Sequence, residues 1–224
     1  MFIGHFAPAF IAATQPAAPR LGLGLLFVAA QLVDIGFFTL LILGVEHARL
    51  VPFIMQMNPM DLYDMPWTHS LAGALGWAAG FALVLRVLRL SWAGALIGAA
   101  VVVSHWFIDL LVHRPDLTLW GGPPKLGLGL WNLPAIEVPL ELFFAFGGLA
   151  WYVRCTEPTG AAGRWSALVL GMAMAVLQGY NWLSPQPHEI IDPAPVSLGY
   201  LGLFAYALLA AAAWWAALTR SVKA

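Results

Sequence analysis

Histidines and carboxylates recur in this chain inside stretches that are otherwise apolar, at spacings that suit joint work on one ligand. Asp34 lies in AAQLVDIGFF, His69 in PWTHS, Glu137 and Glu141 in AIEVPLELFF, and His105, Asp109 and His113 in SHWFIDLLVHRPD. The i, i+4, i+8 spacing of the last three places them on one face of a helix. Neutral imidazoles and ionised carboxylates offer nitrogen and oxygen ligands to zinc or a similar first-row divalent ion, and HxxxD delivers two of them from one helix. More than four such groups at one depth suggest two ions, the arrangement that clamps the attacking and leaving oxygens in phosphoester hydrolysis. An ionisable group within a membrane span costs about 3 kcal/mol unless it is paired or lines a polar cavity, so a function is expected of them. Glu46 and His47, just after Asp34's segment, are read as partners of the ligands.

The elements that position these groups follow from composition. Of 224 residues, 61% are hydrophobic and 9% are charged, against about 25% charged in an ordinary soluble domain. Such a chain cannot cover a water-facing surface and is expected to be integral to the lipid bilayer. A net charge of −1 leaves no basic footprint for nucleic acid. A spanning helix needs about 20 mostly apolar residues, and six stretches qualify: Leu21–Gly44, His69–Leu90, Trp92–Val112, Leu133–Val153, Trp165–Leu183 and Val196–Leu218. The alternating strands of a β-barrel are absent. The expected fold is an all-α bundle of about six transmembrane helices in one domain, 1–224. Within it, 1–154 form the core of the metal site and 155–224 supply two additional helices. Gly76 with Gly80 and Gly94 with Gly98 are expected to let a short-looped hairpin pack closely. Trp67, Trp106, Trp120 and Trp131 are expected in an interfacial belt. The N-terminal segment lacks a basic start and makes a poor signal peptide.

Basic residues orient the bundle. With both termini inside, the inner side holds Arg20, Arg86, Arg89, Arg154, Arg164, Arg220 and Lys223, and the outer side holds Arg49, Arg114 and Lys125. His69, His105, Asp109, His113, Glu137 and Glu141 then fall in the outer half. Asp34, about 14 residues from Arg20, is roughly 20 Å from the inner surface. Residues 2–14 are too short to span. As a broken or re-entrant helix they would raise His5 by about 14 Å, within reach of the same pocket.

The segments MFIGHFA, AAQLVDIG, LGVEHARL, MPWTHSL, SHWFIDLLVHRPDL, LWGG and GLGLWN resemble a family of bacterial membrane-bound, metal-dependent hydrolase-like proteins of the inner membrane. That family is distantly similar to zinc-dependent phospholipase C and single-strand nuclease enzymes. The resemblance runs from Met1 to about Arg154. It implies His5, Asp34, His69, His105, Asp109 and Glu141 as metal ligands, with Glu137 as a partner of Glu141. The soluble enzymes carry a later HxxxE that this chain lacks, which implies one or two ions, zinc first, with manganese or iron also suited.

The resulting expectation is a hydrolase in which metal-activated water attacks a phosphoester or other ester of a lipid-like substrate. Asp34, Asp109, His113 and Glu141 would carry the chemistry, and Arg114, Lys125 and Asn132 would meet the substrate. The site would face the periplasm. Two alternatives use the same buried acids: an ion- or proton-coupled transporter, which usually shows inverted repeats not found here, and a non-catalytic membrane scaffold with a residual metal site.

Overall fold

The computed structural model describes residues 1–16 and 21–223. Arg20, used in the charge count, lies outside them. A 3-10 turn at Ile3–Phe6 runs into α1 (Ala7–Ala12). Then come α2 (Leu23–Ala30), α3 (Leu32–Ile42), α4 (Leu71–Val87), α5 (Trp92–Val112), α6 (Pro134–Cys155), α7 (Ala161–Leu183) and α8 (Val196–Thr219). Three antiparallel two-stranded ribbons trim the ends: β1 (His47–Leu50) with β2 (Met60–Asp64), β3 (Leu117–Thr118) with β4 (Lys125–Leu126), and β5 (Thr156–Pro158) with β6 (Arg220–Val222).

The chain is a helical, multi-pass membrane protein by the length and apolar character of its helices. The four helices α5 to α8 are long enough to cross a bilayer, and α2 with α3 makes a fifth if the pair, bent by 55°, is one span. The expected second span is α4, whose 17 residues reach about 25 Å, short of the ~30 Å hydrocarbon core. Four to five spans are therefore supported on length.

Local sequence explains the helix ends that matter for the site. Ser70 and Ser91 cap α4 and α5, their hydroxyls accepting from the Gly73 and Gly94 amides. The α4–α5 turn closes as a Schellman motif: Leu90 N–H bonds Leu85 O, Arg89 N–H bonds Arg86 O, and Arg89 takes φ 62°. Between α2 and α3 the helix breaks at Gln31 (φ −112°, ψ 11°), whose side-chain amide donates to Phe2 O at 2.9 Å.

Two packing expectations are corrected. Gly98 does pack on α4, since an added Cβ would come 2.7 Å from Leu85 and 3.0 Å from Phe81, but Gly76 and Gly80 face open space. Their stripe lies on the side of α4 turned away from α5. Trp106 is not at an interface: it is buried, with its indole N–H on His69 O at 3.2 Å. Trp67 and Trp120 are exposed.

Two groups of basic residues stand apart from Arg86 and Arg89 of the α4–α5 turn. Arg220 donates to Thr156 Oγ1 and Gly163 O, and Lys223 to Arg154 O, where α6, α7 and α8 meet β5 and β6. Arg49 and Arg114 both reach Asp61, and Lys125 donates to Tyr63 O, by the β1–β2 ribbon.

Candidate metal centre

Asp34 comes from the first turn of α3, His69 from the residues leading into α4, and His105 and Asp109 from α5. One ligand atom from each lies within 4.8 Å of every other. His69 Nε2 is 3.2 Å from Asp34 Oδ1 and 3.6 Å from Asp109 Oδ2. His105 Nε2 is 3.4 Å and 3.0 Å from the same two oxygens. Ligands about 2.05 Å from a tetrahedral ion stand roughly 3.3 Å apart, so the four separations match the edges of one coordination shell.

The hydrogen bonds behind the imidazoles make the stronger argument. Ala30, the last residue of α2, has one of the carbonyls a helix end leaves without a partner, and it takes His105 Nδ1 at 2.8 Å. A carbonyl only accepts, so Nδ1 carries the proton and Nε2 presents its lone pair. Thr68 donates its hydroxyl to Glu46 Oε2 at 2.6 Å, so at 2.9 Å it accepts from His69 Nδ1. Glu46, fully buried, is itself fixed by the Trp67 and Thr68 amides on Oε1. His113 Nδ1 meets Asp116 Oδ1 at 2.8 Å, and its Nε2 is 3.5 Å from Asp109 Oδ1. Three rings are thus held at Nδ1 and turned so that Nε2 faces Asp34 or Asp109, the arrangement in which partners behind metal-binding histidines set tautomer and aim.

Simple ion pairing accounts for this less well. His105 Nε2 and both ring nitrogens of His5 are buried without an aligned hydrogen bond, although Asp109 oxygens stand 3.0 Å and 3.1 Å from the two Nε2 atoms. Buried polar atoms are normally satisfied. In the four-residue group two ring nitrogens and two carboxylate oxygens stand within 4.8 Å of one another, a donor set that fits a cation between them.

Around the four-residue group the other expected residues are distributed unevenly. His5 adjoins it, stacked on His105 with ring centroids 3.9 Å apart, and its Nε2 is 3.1 Å from Asp109 Oδ1. The Met1 amine is 3.2 Å from the same oxygen. Glu141 is not brought into the group: Oε1 accepts from the Phe2 and Gly4 amides at 2.6 Å and 3.1 Å, and Oε2 from Gln178 at 3.3 Å. Its place here is to anchor the N-terminal turn that carries His5. Glu137, one turn earlier, is fully buried with both oxygens unpartnered.

The three expected substrate residues line no part of the cavity that opens on the cluster. Arg114 is turned to Asp61 and Asp116, Lys125 to Tyr63 O, and Asn132 accepts the Gln56 amide. The helix ends at Val112 and His113 is extended (φ −62°, ψ 144°), so the chain leaves the axis of α5 there and carries Arg114 away from the ligands. That cavity, of about 730 Å³, has Asp34, His69, Asp109, His113 and Trp131 on its wall.

Sequence reasoning passed over Thr68, Asp116 and Tyr206. The Tyr206 hydroxyl, buried on α8, donates to Asp34 Oδ2 at 2.6 Å, leaving Oδ1 to the histidines. A tyrosine in an apolar span carries no pattern that marks it, whereas Thr68 and Asp116 were readable as hydrogen-bonding residues adjacent to histidines. Compared with protein-family models, with curated proteins and with solved structures, the chain matches none.

Proposed function

We propose that the chain is a membrane-embedded, metal-dependent hydrolase that cleaves a phosphoester, or another ester, of an amphiphilic substrate. The observation that carries this reading is the common aim of His69, His105 and His113, each held at Nδ1 by an acceptor with Nε2 towards Asp34 or Asp109. Asp34, His69, His105 and Asp109 would hold the ion. Zinc suits the nitrogen and oxygen set, with manganese and iron as alternatives. Asp109 turns its second oxygen to the Met1 amine, His5 and His113, and with these imidazoles it would offer ligands to a second ion.

Held by Asp34, His69, His105 and Asp109, a divalent ion would supply Lewis acidity, enough to bring the pKa of water to near 7 and to polarise a phosphoryl oxygen. The remaining work falls to the chain. Tyr206 fixes Asp34 so that one oxygen faces the site. Asp109, open to the cavity, accepts a proton from an approaching water. His113, backed by Asp116 and standing on the cavity wall beside Trp131 at 4.5 Å between rings, has its Nε2 3.5 Å from Asp109 Oδ1; it would take the water's proton from Asp109 there and pass it to the leaving oxygen. Glu141 keeps His5 against His105 by holding the turn before it.

The family resemblance of SHWFIDLLVHRPD and its companion segments points the same way, to an inner-membrane hydrolase of bacterial type. For topology we propose six spans, with α4 as the short one, both ends inside and the site towards the periplasm. The grouping of Arg154, Arg220 and Lys223 apart from Arg49, Arg114 and Lys125 supports it.

Metal content of the purified protein, with turnover of a chromogenic phosphodiester, tests the reading. Bound metal and turnover, both lost in His105→Ala, are expected. Metal without turnover of any ester would leave a non-catalytic scaffold, and proton-driven flux in liposomes would leave a transporter; either overturns the hydrolase.

A further inference from the structure

The cavity on the cluster is larger and more apolar than a phosphoryl group requires. At about 730 Å³ it lies within the roughly 300–1,000 Å³ that receives a whole organic ligand. Its wall holds Asp34, His69, Asp109 and His113 of the cluster, Glu141 of α6, polar loop residues such as Gln56, Asn58 and Gln186, and an apolar set made by Phe38 of α3, Leu177 and Tyr180 of α7, and Leu198, Leu201 and Ala205 of α8. These three helices add no charged side chain to the wall besides Asp34. Tyr180 and Leu201 are 59% and 44% exposed, and next to them Val176, Tyr200 and Phe204 turn large apolar surfaces outward. The cavity thus includes both the cluster residues and outward-facing residues of α7 and α8, whose apolar surface would face lipid in a membrane, and this apolar part of its wall forms an arm beside the cluster.

We propose that this arm seats one alkyl chain of a membrane amphiphile that enters from the bilayer past Tyr180 and Leu201 and brings an anionic head to the cluster. The head-group end rests on the metal-dependent reading above; the chain end rests on the cavity alone. A hydrocarbon tail gains little on leaving lipid for an apolar wall, because lipid tails are as apolar as the leucines they meet. The arm selects by shape and access, and a water-soluble phosphoester has no use for it. The two C-terminal helices thereby acquire a function: α8 fixes Asp34 through Tyr206 and, with α7, forms the chain's seat.

The test is positional. The full chain, loaded with zinc in phosphatidylcholine nanodiscs, is irradiated with a dodecylphosphonate that carries a diazirine in mid-chain, and the adducts are mapped. Adducts are expected on Leu177, Leu201 or Ala205, displaced by plain dodecylphosphonate and not by methylphosphonate. Leu201→Trp and, separately, Leu177→Trp should lower these adducts at least tenfold while zinc content and elution volume stay unchanged. Label spread evenly over outward residues such as Leu83 and Val87 of α4, with no competition, would overturn the proposal, and that mapping needs no variant. Turnover separates the two readings. Site-specific label without ester cleavage keeps the chain seat and removes the hydrolase. Equal cleavage of short- and long-chain phosphodiesters by the wild type and Leu201→Trp keeps the hydrolase and removes the seat.

Discussion

Glu46→Gln should weaken metal binding although Glu46 touches no ligand atom of the cluster. In the wild type the proton order runs one way: His69 Nδ1–H to Thr68 Oγ1, and Thr68 O–H to Glu46 Oε2, while Oε1 accepts the Trp67 and Thr68 amides. A glutamine of the same shape keeps its oxygen on the two amides, which puts NH₂ where Oε2 was. That NH₂ donates to Thr68, whose single proton must then point at His69 Nδ1. His69 shifts to the other tautomer, with its proton on Nε2, the atom that faces Asp34 and Asp109. The flipped amide is no escape, because it would set NH₂ against two backbone N–H groups. Restoring the binding tautomer leaves one buried clash of donors, worth about 1–3 kcal/mol, or roughly 5- to 150-fold in affinity. The range overlaps the about 10- to 100-fold typical of partners behind a metal ligand. Competition with a chromophoric chelator in nanodiscs reads the change, and Thr68→Ser, which keeps the hydroxyl, should bind as the wild type does. Wild-type affinity in Glu46→Gln would show that the polarity of this chain of hydrogen bonds does not set His69 for a metal.

Further outcomes follow from other contacts. Tyr206→Phe removes only the hydroxyl on Asp34 Oδ2 and should cost roughly tenfold in metal affinity, read by the same competition, with circular dichroism unchanged. Zinc at a hundred times its dissociation constant should stabilise the wild type by about 2.7 kcal/mol, hence by roughly 5–10 °C in Tm for a chain of this size; a chelator should reverse the shift, and His105→Ala should not show it. Gly98→Leu would drive a side chain into Leu85 and Phe81 at about 1–3 kcal/mol. Gly76→Leu, on the open face of α4, should stay within about 0.5 kcal/mol, both measured by thermal unfolding in the same detergent.

What could be read in the sequence, and what could not, divides along physical lines. Hydropathy over about 20 residues reports transfer into lipid, and each of the six apolar stretches contains helix. It does not report where a helix bends, so the break at Gln31 was invisible. Asp34, His69, His105 and Asp109 stood out because a titratable group amid apolar residues has a cost that must be met locally. Glu141 met the same criterion and is engaged by backbone amides instead; the criterion finds groups that need a partner and does not name the partner. The GxxxG at Gly76 reads alike whether it faces the neighbouring helix or lies open. Tyr206 was hidden among the aromatic residues of α8, since only the fold shows which hydroxyl reaches a carboxylate 172 positions earlier in the chain.

The bend at Gln31 and the cluster are one construction. In an uninterrupted helix the Ala30 carbonyl would accept the amide of residue 34. With the break after Ala30 it is given to His105, and that bond fixes the tautomer that frees Nε2. The next turn then brings Asp34 to the same nitrogen at 3.4 Å. Gln31, at the break, uses its own amide to hold Phe2, at the start of the turn that stacks His5 on His105. One irregular residue thus couples three separate pieces of chain to the candidate centre. This explains why the first apolar stretch, long enough to cross as a straight helix, is bent by 55°: a straight helix would satisfy its own backbone and leave His105 without an acceptor.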